Sequence, residues 1–109
     1  MTESQNDNNE NVQLDLNSEV FQQGLRRLEK GEQQPVLDTL KKIARLSWDQ
    51  VYRDRGLKWD RIVSLPQRGA HVVHSIRVTR SCRATAFRQG GFMRFLTVER
   101  DYDSTYGRK

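Results

Sequence analysis

The sequence predicts a small α+β domain with two layers, in which an N-terminal strand and a helix hairpin pack on a small antiparallel sheet. Two observations lead to this class. Apolar residues recur at helical spacing in two segments before residue 47, and three β-rich runs follow one another after residue 72. Helices that cover one face of such a sheet form a two-layer α+β architecture.

The N-terminal part of the chain divides into a tail and a first strand. Residues 1–11 are polar and acidic, which predicts a disordered tail ahead of a single domain over 12–109. In the next residues Val12, Leu14 and Leu16 alternate with polar side chains. This alternation is typical of a strand with one buried face.

Two helices are predicted next, joined by a short break. The polar pair 17–18 can cap a first helix from about Glu19, which Gly31 ends. A second helix runs from about Gln33 to Leu46. Their apolar faces contain Phe21, Leu25 and Leu28 in the first helix, and Val36, Leu37, Leu40, Ile43 and Ala44 in the second. The short break predicts an antiparallel hairpin.

The segment 47–63 is less regular. Ser47 and Gln50 have the spacing of a capping box, which predicts a short helix. Leu57, Trp59 and Ile62 then suggest a further helical turn. Trp48 and Trp59 are most simply core or lid residues, with stacking on a nucleobase as the alternative.

Three strands are predicted after a loop at 65–70, over the runs 73–80, 81–88 and 92–98, with a Gln-Gly-Gly turn between the last two. The third run has apolar residues on both faces, so we expect it to lie centrally in the sheet. The pattern does not decide which of its two faces points toward the core. In the first run Ile76 and Val78 share a face, and Arg77 points the other way.

Charge is distributed unevenly along the chain. Five of the fourteen acidic residues and none of the nineteen basic ones lie in 1–19, so the rest carries a net charge of +10. Residues 61–100 contain eight arginines, no lysine and one acid. Such a field favours a polyanion or an acidic protein as partner. The guanidinium fork binds phosphate or carboxylate bidentately, whereas a solvated basic surface is the simpler alternative.

Composition also predicts a cytoplasmic protein that uses no cofactor, metal or membrane. Cys82 is the only cysteine, so no internal disulfide can form, which fits a reducing compartment. Neither a leader at Met1 nor an apolar run of membrane-spanning length is present. Phosphate loops, dinucleotide fingerprints and zinc motifs are absent from the sequence as well.

The order of these elements, together with IRVTRSCRATAFRQGGFMRFLTVERDYDSTY over 76–106, resembles the RelE/ParE superfamily of bacterial toxins from toxin–antitoxin systems. The shared signals are the Arg in IRV, an Arg that opens the next strand, and a D-x-x-Y end. The resemblance implies a cognate antitoxin as partner. RelE-like members cleave messenger RNA at the ribosome, whereas ParE-like members inhibit DNA gyrase, and a fold alone cannot choose between these functions.

Cleavage of RNA without a metal needs a proton acceptor, fixed cations and a proton donor. Arg77 and Arg83 lie on neighbouring predicted strands and could flank one phosphate, and by resemblance they match basic positions of RelE-like nucleases. Tyr106 matches the family's C-terminal tyrosine, and Asp103 would be a base or would orient an arginine. Further RNA contacts are expected from Arg80, Arg88, Arg100 and His71.

Simpler roles remain open for these residues. The arginines could be exposed strand charges, Asp103 could form salt bridges in a turn, and Tyr106 could pack at an edge. Three functions are therefore considered: an endoribonuclease, which Arg83 and Tyr106 favour; a non-enzymatic gyrase inhibitor; and a nucleic-acid-binding module without catalysis. The last explains the charge but leaves the end at 101–106 without a role.

Overall fold

A computed structural model describes residues 8–62 and 71–100 of the chain. In chain order, its elements are β1 (Gln13–Asp15), α1 (Glu19–Arg27), α2 (Lys30–Ala44), α3 (Trp48–Arg53), β2 (Asp60–Arg61), β3 (Val73–Thr79), β4 (Cys82–Gln89) and β5 (Phe92–Arg100). Helices and a sheet in one chain agree with the predicted α+β class. Within the described ranges, no helix is both long and apolar enough to cross a bilayer.

The sheet differs from the predicted antiparallel one in two respects. It has five strands in the order β1-β5-β4-β3-β2, and β1 pairs with β5 in parallel, so the sheet is mixed. The pairs β2–β3, β3–β4 and β4–β5 are antiparallel. Alternation along the sequence identifies a strand but carries no information on the direction of its neighbour. Parallel strands need a long crossover connection, and the elements between β1 and β5 supply it here.

The predicted helical turn at 57–62 is wrong, because this segment forms a turn and then the edge strand β2. The backbone N–H of Arg77 donates to the carbonyl of Leu57 (2.7 Å), and that of Ile62 donates to Val73 (3.0 Å). Lys58 has a φ of 49°, which ends any helical path at this residue. Pairing with β3 therefore overrides the weak helical spacing of three apolar residues.

The boundary between the first two helices also lies elsewhere than predicted. α1 ends at Arg27 and α2 begins at Lys30, so Gly31 lies in the first turn of α2 instead of ending α1. The cause is a capping box, in which the backbone N–H of Glu29 donates to the Glu32 carboxylate (2.8 Å).

The core lies between the helices and the sheet face that carries Ile76, Ala84 and Ala86. In α2 the predicted apolar residues Val36, Leu40 and Ile43 are buried, but Leu37 and Ala44 are exposed, so the stripe is narrower than expected. The side chains most completely buried are Trp48, Phe21, Ile43, Ile76, Met93, Val36, Val51 and Val98.

β5 is an interior strand, as expected, although β4 occupies the middle of the sheet. The register between β4 and β5 shifts between Thr85 and Ala86. As a result the buried residues of β5 are Met93, Phe95 and Val98, whose spacing changes from two to three. This bulge explains why strict alternation could not assign an inward face to the strand.

The segment that precedes β1 contacts the domain. Asn11 forms an isolated bridge with Ser47, and the Oδ1 atom of Asn8 accepts a hydrogen bond from Arg88 (2.8 Å). Ser47 also caps α3 as predicted, since its hydroxyl accepts from the backbone N–H of Gln50 (3.2 Å). Of the predicted tail 1–11, residues 1–7 lie outside the described part of the chain, as does the predicted loop at 65–70.

A candidate phosphate-binding pocket on the sheet

Arg77 and Arg83 form a cross-strand pair on the face of the sheet that points away from the core. In the β3–β4 register Arg77 lies directly opposite Arg83, and the preceding pair Ile76 and Ala84 is buried. Side chains alternate between the two faces of a strand, so the two arginines project from the other face, and both are exposed. The structure thus brings together the two residues that the sequence indicated for phosphate contact.

A pocket of about 140 Å³ surrounds this pair. Its basic residues come from three places in the fold: Lys58 from the turn before β2, Arg77 and Arg83 from the paired strands, and Arg80 from the turn between them. Ser75, Thr79 and Asp60 complete the lining. Four cations, two hydroxyls and one carboxylate therefore face one small concave space.

The charges of this pocket favour an anion as occupant. Like charges directly opposite one another on paired strands repel. Across the described residues, neither Arg77 nor Arg80 has a side-chain hydrogen bond or an ion pair. Arg83 lies opposite Glu99 of β5 as well as opposite Arg77, so the argument for an anion depends on Arg77 and Arg80. A phosphate group beside their guanidinium groups would accept charge-assisted hydrogen bonds, for which the guanidinium geometry is well suited.

The sequence does not indicate Lys58 and Asp60 as site residues, because the apolar spacing of their segment favours a helical turn. Asp60 pairs with Ser75 in the β2–β3 register, which places both on the same face as Arg77. The signal in the sequence is weak. Lys58 and Asp60 flank the apolar Trp59, and an alternation of only three residues is too short to identify a strand.

Arg88, predicted to contact RNA, is engaged within the fold outside this lining. Its Nη1 atom donates to the hydroxyl of Tyr52 (2.6 Å) and to Asn8 (2.8 Å). Its guanidinium carbon lies 4.5 Å from the centroid of the Trp48 ring. Through these contacts Arg88 joins β4 to α3 and to the segment that precedes β1.

Two further predicted RNA contacts also lie outside the pocket lining. Arg100 donates two hydrogen bonds, each of 2.7 Å, to the carboxylate of Glu32, which lowers the pKa of that carboxyl group. His71 stacks on Phe87 with ring centroids 4.8 Å apart. Of the four residues predicted to bind RNA, Arg80 is the one that lines the pocket with the paired arginines.

Asp103 and Tyr106, the predicted base and C-terminal tyrosine, lie outside the described residues, so their roles stay predictions. Cys82 is buried, and burial raises the pKa of its thiol, which disfavours the nucleophilic thiolate. Over 8–62 and 71–100, no group of three or more His, Cys, Asp or Glu side chains could hold a metal ion.

His74 gives a testable pH dependence. Its ring stacks on Trp59, with centroids 4.2 Å apart. Burial lowers the pKa of His74 below the ordinary 6.5, although the hydrogen bond to the Val72 carbonyl opposes this shift; Arg61 also lowers the pKa and Asp60 raises it. The unfolded chain therefore binds this proton more readily than the folded one, and the free energy of unfolding should fall as the pH drops below about 6.5.

The measurement is the urea midpoint between pH 5 and pH 7.5, the range about the ordinary histidine pKa, for the wild type and His74→Gln. Below pH 6.5 the stability of the variant should fall less steeply with decreasing pH than that of the wild type. Equal slopes for the two proteins would show that His74 does not contribute to the pH dependence.

The chemistry that this geometry permits is the binding of one anionic group and the stabilisation of extra charge on it. Asp60 adds a carboxylate that can accept a proton in the same space. A phosphodiester suits both properties, because it is an anion whose cleavage concentrates negative charge on phosphate oxygens. No protein-family model, no curated protein and no solved structure significantly matches this chain.

Proposed function

We propose that the chain is the toxin component of a toxin–antitoxin system and a metal-independent endoribonuclease that cleaves messenger RNA at the ribosome. One observation carries the proposal: Arg77 and Arg83 pair across β3 and β4 in a pocket that also contains Arg80 and Lys58. The resemblance to RelE-like nucleases concerns the same two arginines. A RelE-like arrangement of the two-layer fold is part of the proposal.

The reaction is an attack of a ribose 2′-oxygen on the adjacent phosphorus. A new bond forms between this oxygen and phosphorus, and the bond from phosphorus to the 5′-oxygen breaks. The proton of the 2′-hydroxyl passes to a base, and the leaving 5′-oxygen takes up a proton. The products are a 2′,3′-cyclic phosphate and a 5′-hydroxyl, with no net change in protons.

Each step has a candidate group in this chain. Arg77 and Arg83 stabilise the charge that develops on the phosphate oxygens. Asp60 is the carboxylate of the pocket lining and can accept the 2′-hydroxyl proton. Asp103 and Tyr106 are the further candidates for base and acid that the resemblance supplies.

The size and charge of the pocket favour this function over gyrase inhibition. A space of about 140 Å³ lined by four cations suits a single phosphate group. A non-enzymatic inhibitor of a large protein instead needs a broad interface, typically of about 1,200 Å² or more. The basic body would bind an acidic segment of the cognate antitoxin, which would compete with RNA for the same charges.

The test compares two activities of the purified protein. We expect cleavage of messenger RNA on programmed ribosomes, and no effect on supercoiling by purified DNA gyrase at the same concentration. Intact RNA together with a dose-dependent loss of supercoiling would replace the nuclease with a gyrase inhibitor. Intact RNA and unaffected gyrase, with binding to RNA retained, would indicate a binding module without catalysis.

A further inference from the structure

A second pocket, of about 290 Å³, adjoins the phosphate-binding pocket. The two share Lys58 and Asp60 in their linings, so these two residues lie at the boundary between the pockets. Unlike the first pocket, the second contains aromatic rings, those of Tyr52 from α3 and Trp59 from the turn before β2. A nucleic-acid chain that continues past Lys58 and Asp60 from the first pocket would reach these rings.

The aromatic rings of this second pocket are held in place by the fold. Trp59 stacks on His74 and meets Trp48 edge-on at 5.4 Å between centroids. Tyr52 packs against Trp48 at 5.7 Å, and its hydroxyl accepts a hydrogen bond from Arg88. Even so, Tyr52 remains 47 % exposed. A ring that is already fixed and still partly exposed loses little conformational entropy when a ligand stacks on it.

The charges around these rings also suit a nucleic acid. Arg55 and Lys58 are exposed, and within the described part of the chain neither has a side-chain ion pair. Asp54 is engaged by Lys42 (3.1 Å) and by the backbone N–H of Leu57 (2.9 Å), so its charge is largely compensated. Aromatic faces beside a track of cations form the usual binding surface for single-stranded nucleic acids.

The geometry points to a nucleobase-stacking subsite on Tyr52 and Trp59, which takes the base of the nucleotide next to the phosphate bound by Arg77 and Arg83. The inference rests on the proposed function, since it takes single-stranded RNA as the ligand. An acidic peptide would use the cations of this surface but would leave the rings without a role. The subsite gives a function to the segment between α2 and β3.

The test uses a short 2′-O-methyl oligoribonucleotide, which this mechanism cannot cleave, and an abasic 2′-O-methyl oligomer of the same length and charge. Affinity is measured by fluorescence anisotropy at one fixed salt concentration. The wild type should bind the base-containing probe about tenfold or more tightly than the abasic one, as expected for stacking on an aromatic side chain. This comparison requires no variant and is independent of any effect on folding.

Two variants locate the effect. Tyr52→Ala should weaken binding of the base-containing probe and bring the two affinities close together. Tyr52→Phe keeps the ring and removes only the hydroxyl that contacts Arg88, so it should retain the preference for bases. Melting temperatures of both variants show whether the fold is preserved.

Three results would overturn the subsite. The first is equal wild-type affinity for the two probes, and the second is an equal loss of affinity for the base-containing probe in Tyr52→Ala and Tyr52→Phe. The third is a glutamate-rich peptide that competes with the probe and whose binding Tyr52→Ala weakens as much as it weakens RNA binding. The outcome is separate from that of the proposed function. Cleavage without a preference for bases would keep the nuclease and remove the subsite, and a preference for bases without cleavage would do the reverse.

Discussion

Arg83→Ala should lower the rate of messenger RNA cleavage by about 10²- to 10³-fold, the usual effect of removing one preorganised donor from a developing negative charge. Arg77→Ala should have an effect of similar size, because the two residues lie opposite each other in one pocket. The rate is best measured under single-turnover conditions on programmed ribosomes, where binding and product release do not limit it. Arg83→Lys keeps the charge without the bidentate fork, so its cleavage rate should lie between those of the wild type and Arg83→Ala.

Arg26→Ala is the matched control, since it removes one exposed positive charge near the end of α1, outside the pocket lining. It should cleave at nearly the wild-type rate. If Arg26→Ala and Arg83→Ala lose activity equally, total charge and not the pocket governs the reaction. Melting temperatures separate a loss of catalysis from a loss of fold in each variant.

Gly24→Ala should destabilise the domain by about 1 to 3 kcal/mol, the usual range for overpacking a tight contact. The reason is geometric, since a Cβ atom at Gly24 would meet the backbone carbonyl oxygen of Val98 in β5. Gly24 therefore permits the close approach of α1 to the sheet. The measurement is the free energy of unfolding in urea.

Gly31→Ala provides the control within the next helix. A Cβ atom at Gly31 would have no neighbour within 4 Å, so this change should stabilise the protein by roughly 0.4 to 1 kcal/mol through the unfolded chain. The two changes act in opposite directions, so the free energies of unfolding of the two variants should differ by roughly 1.4 to 4 kcal/mol. Equal effects would mean that α1 does not pack this closely on β5.

The long periodic segments were predictable from the sequence. Alternation over 73–98 predicts the three consecutive strands, and it also predicts that Arg77 lies on the face opposite Ile76, as the structure shows. β2 was not predictable, because two residues show no period and its pairing partner in β3 is more than ten residues away in the sequence. The parallel pairing of β1 and the bulge at Leu96 of β5 likewise depend on neighbours that a local pattern does not reveal.

The same distinction applies to the candidate site. All the strand arginines look alike in the sequence, yet Arg88 contacts Tyr52 and Arg100 contacts Glu32, partners that lie 36 and 68 positions away. Arg88 and Arg100 are partly buried and hydrogen-bonded within the fold, whereas Arg77 is exposed. Lys58, Asp60 and Tyr52 were missed for the related reason that their segment carries no regular pattern.

The central claim is that the pocket of Arg77 and Arg83 stabilises the attack of a ribose 2′-oxygen on the adjacent phosphate. Its most direct test is the chemical identity of the RNA ends that the purified protein leaves on programmed ribosomes. The mechanism predicts a 2′,3′-cyclic phosphate and a 5′-hydroxyl, and no cleavage where the attacking nucleotide is 2′-deoxy. Products with a 3′-hydroxyl and a 5′-phosphate, or cleavage that persists at the 2′-deoxy nucleotide, would contradict it.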